Sequence, residues 1–252
     1  KFYQLDIRSE GTKVNLGDFI DKYFNWDWKP EDYITEDNVF SDDKAYLGEL
    51  LFFDKRLSKD ETVSCATCHK PGLAFSDGDE TSTGVFGRKT ERNSPSILNA
   101  GYLPRLMYDG ELTTLEMQAI VPIQEHVEMD MNMKELIEKL KLIPEYQSAA
   151  KKLYNRDFDP YVLSRSLGAY QRTLISNNSP FDQYYYQGKN RAISASAKKG
   201  FELFSEKLKC TNCHALPHFT TFKVEQLNKE ATTMKNNKTF LIILFISINK
   251  RL

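Results

Sequence analysis

Ser64-Cys65-Ala66-Thr67-Cys68-His69 decides how this chain is read. Two cysteines separated by two residues and followed directly by a histidine form the attachment pattern of a c-type haem. The thiols add across the two vinyl groups, and the histidine offers an imidazole nitrogen to the iron. The pattern recurs as Cys210-Thr211-Asn212-Cys213-His214, and the two runs use all 4 cysteines of the 252-residue chain. Other uses of four cysteines fit less well. Four-cysteine zinc modules hold their pairs within ~15–20 residues of each other, whereas a long helical span separates these two. A thioredoxin-like redox site follows a strand, and no alternating apolar run precedes either pair. A disulfide inside each pair would be strained and would leave both histidines without a role. The residues therefore point to two covalently bound haems: Cys65, Cys68 and His69 for the first, and Cys210, Cys213 and His214 for the second, with His69 and His214 as iron ligands.

Outward from the first motif, helix signals begin at Ser41, an N-cap candidate before Asp42 and Asp43, with Leu47, Leu50 and Leu51 at helical spacing up to Phe53. Residues 1–40, rich in Asp, Lys and aromatics and including Trp26 and Trp28, read as an irregular lead-in. From Pro71 to Pro104 the Gly, Pro, Ser, Thr and Asn content marks a loop, and a loop this long wants a function, such as wrapping one face of a haem. Helices are expected over Thr113–Val121, Met133–Leu142 and Tyr146–Tyr154. Another starts at Asp159-Pro160 and sets Leu163, Leu167, Tyr170 and Leu174 on one stripe. Asn177-Asn178-Ser179-Pro180 breaks the chain, and the domain boundary is placed there. Ser194 then caps a helix over Ala195–Glu206 that runs into the second motif. The expected fold is mostly α: a haem domain over 41–178 and a second over 179–252. Each motif follows an amphipathic helix, as in two distant copies of one unit.

Composition adds little about partners. A net charge of −1 gives no pointer to nucleic acid. The longest apolar run, Phe240 to Ile248, falls short of the ~20 residues that span a bilayer. Haem attached to thiols implies export, most simply to the periplasm. The start on Lys1 suggests a processed or trimmed N-terminus.

Further motifs surround the haem sites in order: Leu47-Gly48-x-x-Leu51-Phe52-Phe53-Asp54-x-Arg56-Leu57-Ser58, the first haem run, Arg92-Asn93-Ser94-Pro95-Ser96-Ile97-Leu98-Asn99, Asp109-Gly110 with Leu115-Glu116-x-Gln118-Ala119, and Pro122-Ile123 with Val127-Glu128-Met129. From about Lys44 to His214 the chain resembles the bacterial di-haem cytochrome c peroxidase family, which includes the MauG-like enzymes. The resemblance implies reduction of hydrogen peroxide to water at the N-terminal haem. Electrons would enter through the C-terminal haem from a small donor protein such as a monohaem cytochrome c or a cupredoxin. It also admits a homodimer.

By residue, the resemblance makes Glu128 the acid–base group, Gln118 a distal-pocket residue and Tyr108 the aromatic between the haems, where the family usually has tryptophan. It makes Asn93 a calcium ligand. Read alone, Glu128 belongs to a solvated face, Gln118 is a helix-surface residue, Tyr108 a packing aromatic and Asn93 a turn residue.

Two departures bear on function. Where peroxidases that need prior reduction carry a histidine that blocks the peroxidatic iron, Thr83-Gly84-Val85-Phe86-Gly87 has Val85 and Phe86. His126 also stands where proline is usual, and it could tune Glu128 or ligate iron. After Phe219 the sequence becomes rich in Lys, Asn and Ile, so the second domain is expected to be incomplete at its C-terminus, with Met234 as its only thioether candidate for the second iron. The alternatives are a di-haem electron carrier without chemistry of its own, and a MauG-like oxidase acting on a protein side chain.

Overall fold

Ser41 starts the first helix by accepting the Lys44 amide on its Oγ at 3.2 Å, and Asp42 and Asp43 place negative charge in the first turn. This is α1 (Asp42–Phe53). In the computed structural model, which describes residues 38–107 and 112–220, the other helices are α2 (Cys65–Cys68), α3 (Leu115–Gln118), α4 (Val121–Gln124), α5 (Met133–Lys141), α6 (Pro144–Tyr154), α7 (Pro160–Arg172), α8 (Pro180–Tyr185) and α9 (Ala195–Glu202). Among the described residues there is no strand ladder, only isolated bridges such as Lys70 with Ser76. The fold is mostly α, as the sequence indicates. Trp26, Trp28, Tyr108, Met234 and the sequence beyond residue 220 lie outside the described residues.

The described chain forms two compact units, one of residues 38–102 with Leu115–Ile175, the other of residues 103–107, 112–114 and 176–220. The first is built on α1 and α7. Apolar residues on more than one side of α1 are buried, among them Ala45, Leu47, Leu51 and Phe52, as befits a helix enclosed by the core. Gly48 lets the two backbones meet, because a Cβ there would strike the Ser166 carbonyl and the Tyr170 side chain. Leu57, Ile123, Leu136, Leu140, Phe158, Leu163 and Leu167 complete this core. α7 begins as expected, with Asp159 accepting the Val162 amide at 2.9 Å and Pro160 at its first position.

The second unit is held by half-buried aromatics. Phe181 lies 5.0 Å from Phe201 and 5.4 Å from Phe219, and Phe204 lies 5.9 Å from Phe219. Such ring pairs stabilise a small cluster beyond the area they bury.

Three helix readings differ from the structure. The helix expected over Thr113–Val121 is two single turns, Leu115–Gln118 and Val121–Gln124, because Pro122 cannot donate into a continuing ladder. The helix expected over Ala195–Glu206 is regular only to Glu202 and then widens into a π turn over Leu203–Lys207. At the expected break, Ser179 and Asp182 form a capping box that starts α8, a signal the sequence carried in Ser179-Pro180-x-Asp182.

Candidate functional site

Cys65 and Cys68 begin and end the single turn α2, a spacing of three that puts both side chains on one face. Thr67 Oγ1 accepts the Ser64 amide at 3.0 Å, and the His69 amide donates to the Cys65 carbonyl at 2.9 Å, closing the turn. The His69 ring is set by its Nδ1, 2.9 Å from the Phe75 carbonyl. A carbonyl can only accept, so Nδ1 carries the proton, and Nε2 is the nitrogen that could take a metal. Burial lowers the pKa of His69, against the opposing pull of the Phe75 carbonyl, so the ring stays neutral as a ligand must.

Burial pushes the Cys65 thiol up to about 12 and also raises Cys68. Raised thiols are poor redox nucleophiles, which argues against a reactive dithiol. No cluster of three His, Cys, Asp or Glu side chains suited to a bare metal ion forms among the described residues.

The second site repeats this arrangement. The His214 amide donates to the Cys210 carbonyl at 2.8 Å, and His214 Nδ1 lies 3.1 Å from the Phe219 carbonyl. Phe75 and Phe219 both adopt left-handed backbone, at φ 58° and 55°. This is rare for a bulky side chain and turns each carbonyl back to its histidine. Phe52 faces His69 at 6.4 Å and 39°, and Phe204 faces His214 at 6.1 Å and 41°. The donor sets therefore fit a haem at each motif: two free thiols, one oriented imidazole and an aromatic wall. The sequence reading did not find the two phenylalanines, although each follows its motif histidine within six residues.

Glu128 sits in the turn after α4. Its amide donates to the Glu125 carbonyl at 3.0 Å, and its carbonyl accepts the Val85 amide at 2.8 Å. Gly84 permits this approach, because a Cβ there would collide with the Val127 and Glu128 backbone. The carboxyl is half-buried, and its pKa is raised first by burial and then by the charge of Glu125. Its charge is felt at Cys65 and Cys68, so it lies within electrostatic range of the first haem motif.

Gln118 ends α3, half-buried. That turn is anchored by its neighbour Glu116, whose carboxylate accepts Arg172 at 2.6 and 3.0 Å and Asn38 Nδ2 at 2.8 Å. Gly168 makes room, since a Cβ there would press on this ion pair. Sequence reading did not find the pair, whose partners lie 56 residues apart.

Val85 is fully buried, while Phe86 is exposed with its amide bound to Asp60 at 2.9 Å. The side chain of His126 is 67% exposed, and its Nδ1 lies 3.2 Å from Asp130 Oδ1. Asn93 is exposed on the loop.

The sequence model of a family described as di-haem cytochrome c peroxidase matches residues 42–191. The chain is 39% identical over 186 residues to the methylamine utilization protein MauG of Methylophilus methylotrophus, covering 73% of this chain and 55% of that protein. It is 37% identical over 177 residues to cytochrome c551 peroxidase of Pseudomonas aeruginosa, covering 69% and 51%. Among solved structures, a MauG-like protein associated with microbial copper homeostasis superposes with a TM-score of 0.67 at 31% identity, covering 81% of this chain and 62% of that one. The chain spans about half the length of the curated relatives it matches.

Proposed function

The chain belongs to the di-haem cytochrome c peroxidase family, and from that premise we propose that it takes part in the reduction of hydrogen peroxide to water, with electrons from a small periplasmic donor such as a monohaem cytochrome c or a cupredoxin. The family implies two c-type haems, and the matched geometry around His69 and His214 supports one at each motif. A haem held by Cys65, Cys68 and His69 would supply the iron that receives peroxide, and the second would pass on the donor's electrons.

The observation that carries the proposal is the raised, half-buried carboxyl of Glu128, within electrostatic range of the first motif. Reduction of one peroxide consumes two electrons and two protons and yields two waters. Before the O–O bond breaks, the inner oxygen must lose a proton and the outer oxygen must gain one. Glu128 would accept that proton and hand it on, a task suited to a carboxyl brought nearer the working pH. Gln118 would hold peroxide by hydrogen bonding in the same pocket. Tyr108 is proposed as an electron relay, Met234 as a ligand of the second iron and Asn93 as a calcium ligand.

No helix among the described residues is long and apolar enough to cross a membrane. Export to the periplasm is inferred from the covalent haems.

The identity to MauG, together with Val85 and Phe86 in place of a blocking histidine, favours a second reading: an oxidase that uses peroxide on a protein side chain. A steady-state assay with reduced donor decides between them. Donor oxidation at two electrons per peroxide supports the peroxidase. Peroxide consumption only in the presence of a protein substrate supports the oxidase, and no consumption leaves an electron carrier. Denatured protein should retain two haems per chain by pyridine haemochrome, and one haem would remove the second site.

A further inference from the structure

Glu128 can move a proton only if its carboxyl is held at one place, and its turn has few internal restraints. Within residues 125–130, the Glu128 and Asp130 amides both donate to the Glu125 carbonyl at 3.0 Å, and the exposed His126 lies 3.2 Å from Asp130. Two backbone bonds reach the turn from other segments, Lys59 to the Met129 carbonyl at 2.9 Å and Val85 to the Glu128 carbonyl at 2.8 Å, and a third, Met131 to the Ile123 carbonyl at 2.9 Å, closes its base.

Across this turn lies Arg88. One of its guanidinium nitrogens donates to the His126 carbonyl at 2.8 Å and to Asp130 Oδ2 at 2.7 Å, so it grips the residues two before and two after Glu128. Arg88 is itself fixed. Its amide donates to the Val85 carbonyl at 3.1 Å, its carbonyl accepts the Gly84 amide at 2.9 Å, and its guanidinium stacks 4.8 Å over the Phe86 ring. The Phe86 amide in turn is tied to Asp60, next to the Lys59 that holds Met129.

We propose that Arg88 is a positioning residue for proton transfer, closing a clamp from the 84–88 loop over the turn that carries Glu128. The inference rests on Glu128 being the acid–base group. Because three backbone bonds remain without it, loss of Arg88 should leave the fold in place while letting the carboxyl wander. Misplacement on the scale of ~1 Å can slow a positioned reaction by up to ~10²-fold.

The test is peroxide turnover by the haem-loaded protein in two backgrounds. Arg88→Ala should lower kcat by ~10- to 10²-fold with little change in KM and unchanged haem spectra. In the Glu128→Gln background the same substitution should lower it no further, since there is no proton-carrying group left to misplace. Arg88→Lys should recover part of the rate, because the bonds to the His126 carbonyl and to Asp130 come from one nitrogen that an ammonium can replace, while the stacking on Phe86 is lost. If Arg88→Ala does not fold, Asp130→Ala removes the Arg88–Asp130 bond together with the His126–Asp130 contact and should again lower kcat, with the loss absent in the Glu128→Gln background. Wild-type turnover in Arg88→Ala, or equal losses in both backgrounds, would overturn the positioning role while Glu128 kept its own. Full activity of Glu128→Gln would instead remove the proposed reaction at this site and the clamp with it.

Discussion

His69 donates from Nδ1 to the carbonyl of Phe75 at 2.9 Å, and it does so because Phe75 turns its backbone into the left-handed region at φ 58°. The same pairing of His214 with Phe219 shows that orienting the imidazole is a built-in part of both sites. The ring of Phe75 is also buried, 6.3 Å from Phe52. Backbone geometry and packing can therefore be separated by substitution.

Phe75→Gly keeps the left-handed turn and the carbonyl but removes the ring. It should lose about 3–5 kcal/mol of stability, as large-to-small core substitutions of phenylalanine do, with the spectrum of the first haem nearly unchanged. Phe75→Pro cannot reach a positive φ and should release His69, altering that haem's spectrum and reduction potential. Spectroelectrochemistry with denaturant titration measures both, and matching haem properties in the two variants would mean that the hydrogen bond has no tuning role.

Much of this was legible in the sequence where the signal was local. Ser41 and Asp159-Pro160 start helices where the pattern puts them, and the spacing of Cys65, Cys68 and His69 is itself the geometry of the site. What escaped depends on distant partners or on backbone shape. Glu116 has no role in the quoted motif until α7 brings Arg172 to it, and nothing in the sequence singles out Arg88 until the 125–130 turn folds under it. Phe75 and Phe219 matter through φ and a carbonyl, which residue type does not encode.

Val85 and Phe86 put no imidazole on the 84–88 loop, and the His126 side chain, largely exposed, is engaged with Asp130. The first haem should therefore be high-spin or water-ligated in the oxidised protein and should react with peroxide without prior reduction. Visible and EPR spectra of oxidised protein check this, and His126→Ala should leave them unchanged. A low-spin bis-histidine signal that disappears in His126→Ala would show instead that this ring reaches the iron.

Burial by itself would raise the Glu116 carboxyl, but the hydrogen bonds and charge of Arg172 and the Asn38 amide outweigh it and bring the pKa below the ordinary value. A carboxyl depressed in the folded state contributes stability that is present above its unfolded pKa of ~4.3 and is lost as pH falls through the folded value. Denaturant midpoints should fall as the solution is acidified below that range, and the part due to this pair should be missing in Glu116→Gln. At neutral pH, Glu116→Gln takes the carboxylate out of a buried, hydrogen-bonded ion pair and should destabilise the first unit by about 3–5 kcal/mol. A loss under about 1 kcal/mol, typical of an exposed pair, would mean that water reaches the site.

Glu128 differs from Glu116 in that, among the described residues, no cation offsets its burial. Desolvation, followed by the charge of Glu125, pushes its pKa up. Only the ionised form can accept the peroxide proton, so turnover should rise with pH through the raised value, and the acid limb should lie above the ordinary ~4.3 of glutamate. Glu128→Gln keeps the shape but cannot cycle a proton. It should slow turnover by ~10²- to 10⁴-fold, with both haem spectra nearly intact, and should flatten the acid limb. Glu125→Gln removes the smaller cause of the shift, so it should move the limb to lower pH and leave the maximal rate close to that of the parent. Stopped-flow peroxide consumption across pH, with all three proteins loaded with haem, separates these cases. If Glu125→Gln lost activity while Glu128→Gln kept it, the acid–base role would belong three residues earlier, at the exposed start of the turn, and the burial argument for Glu128 would fail.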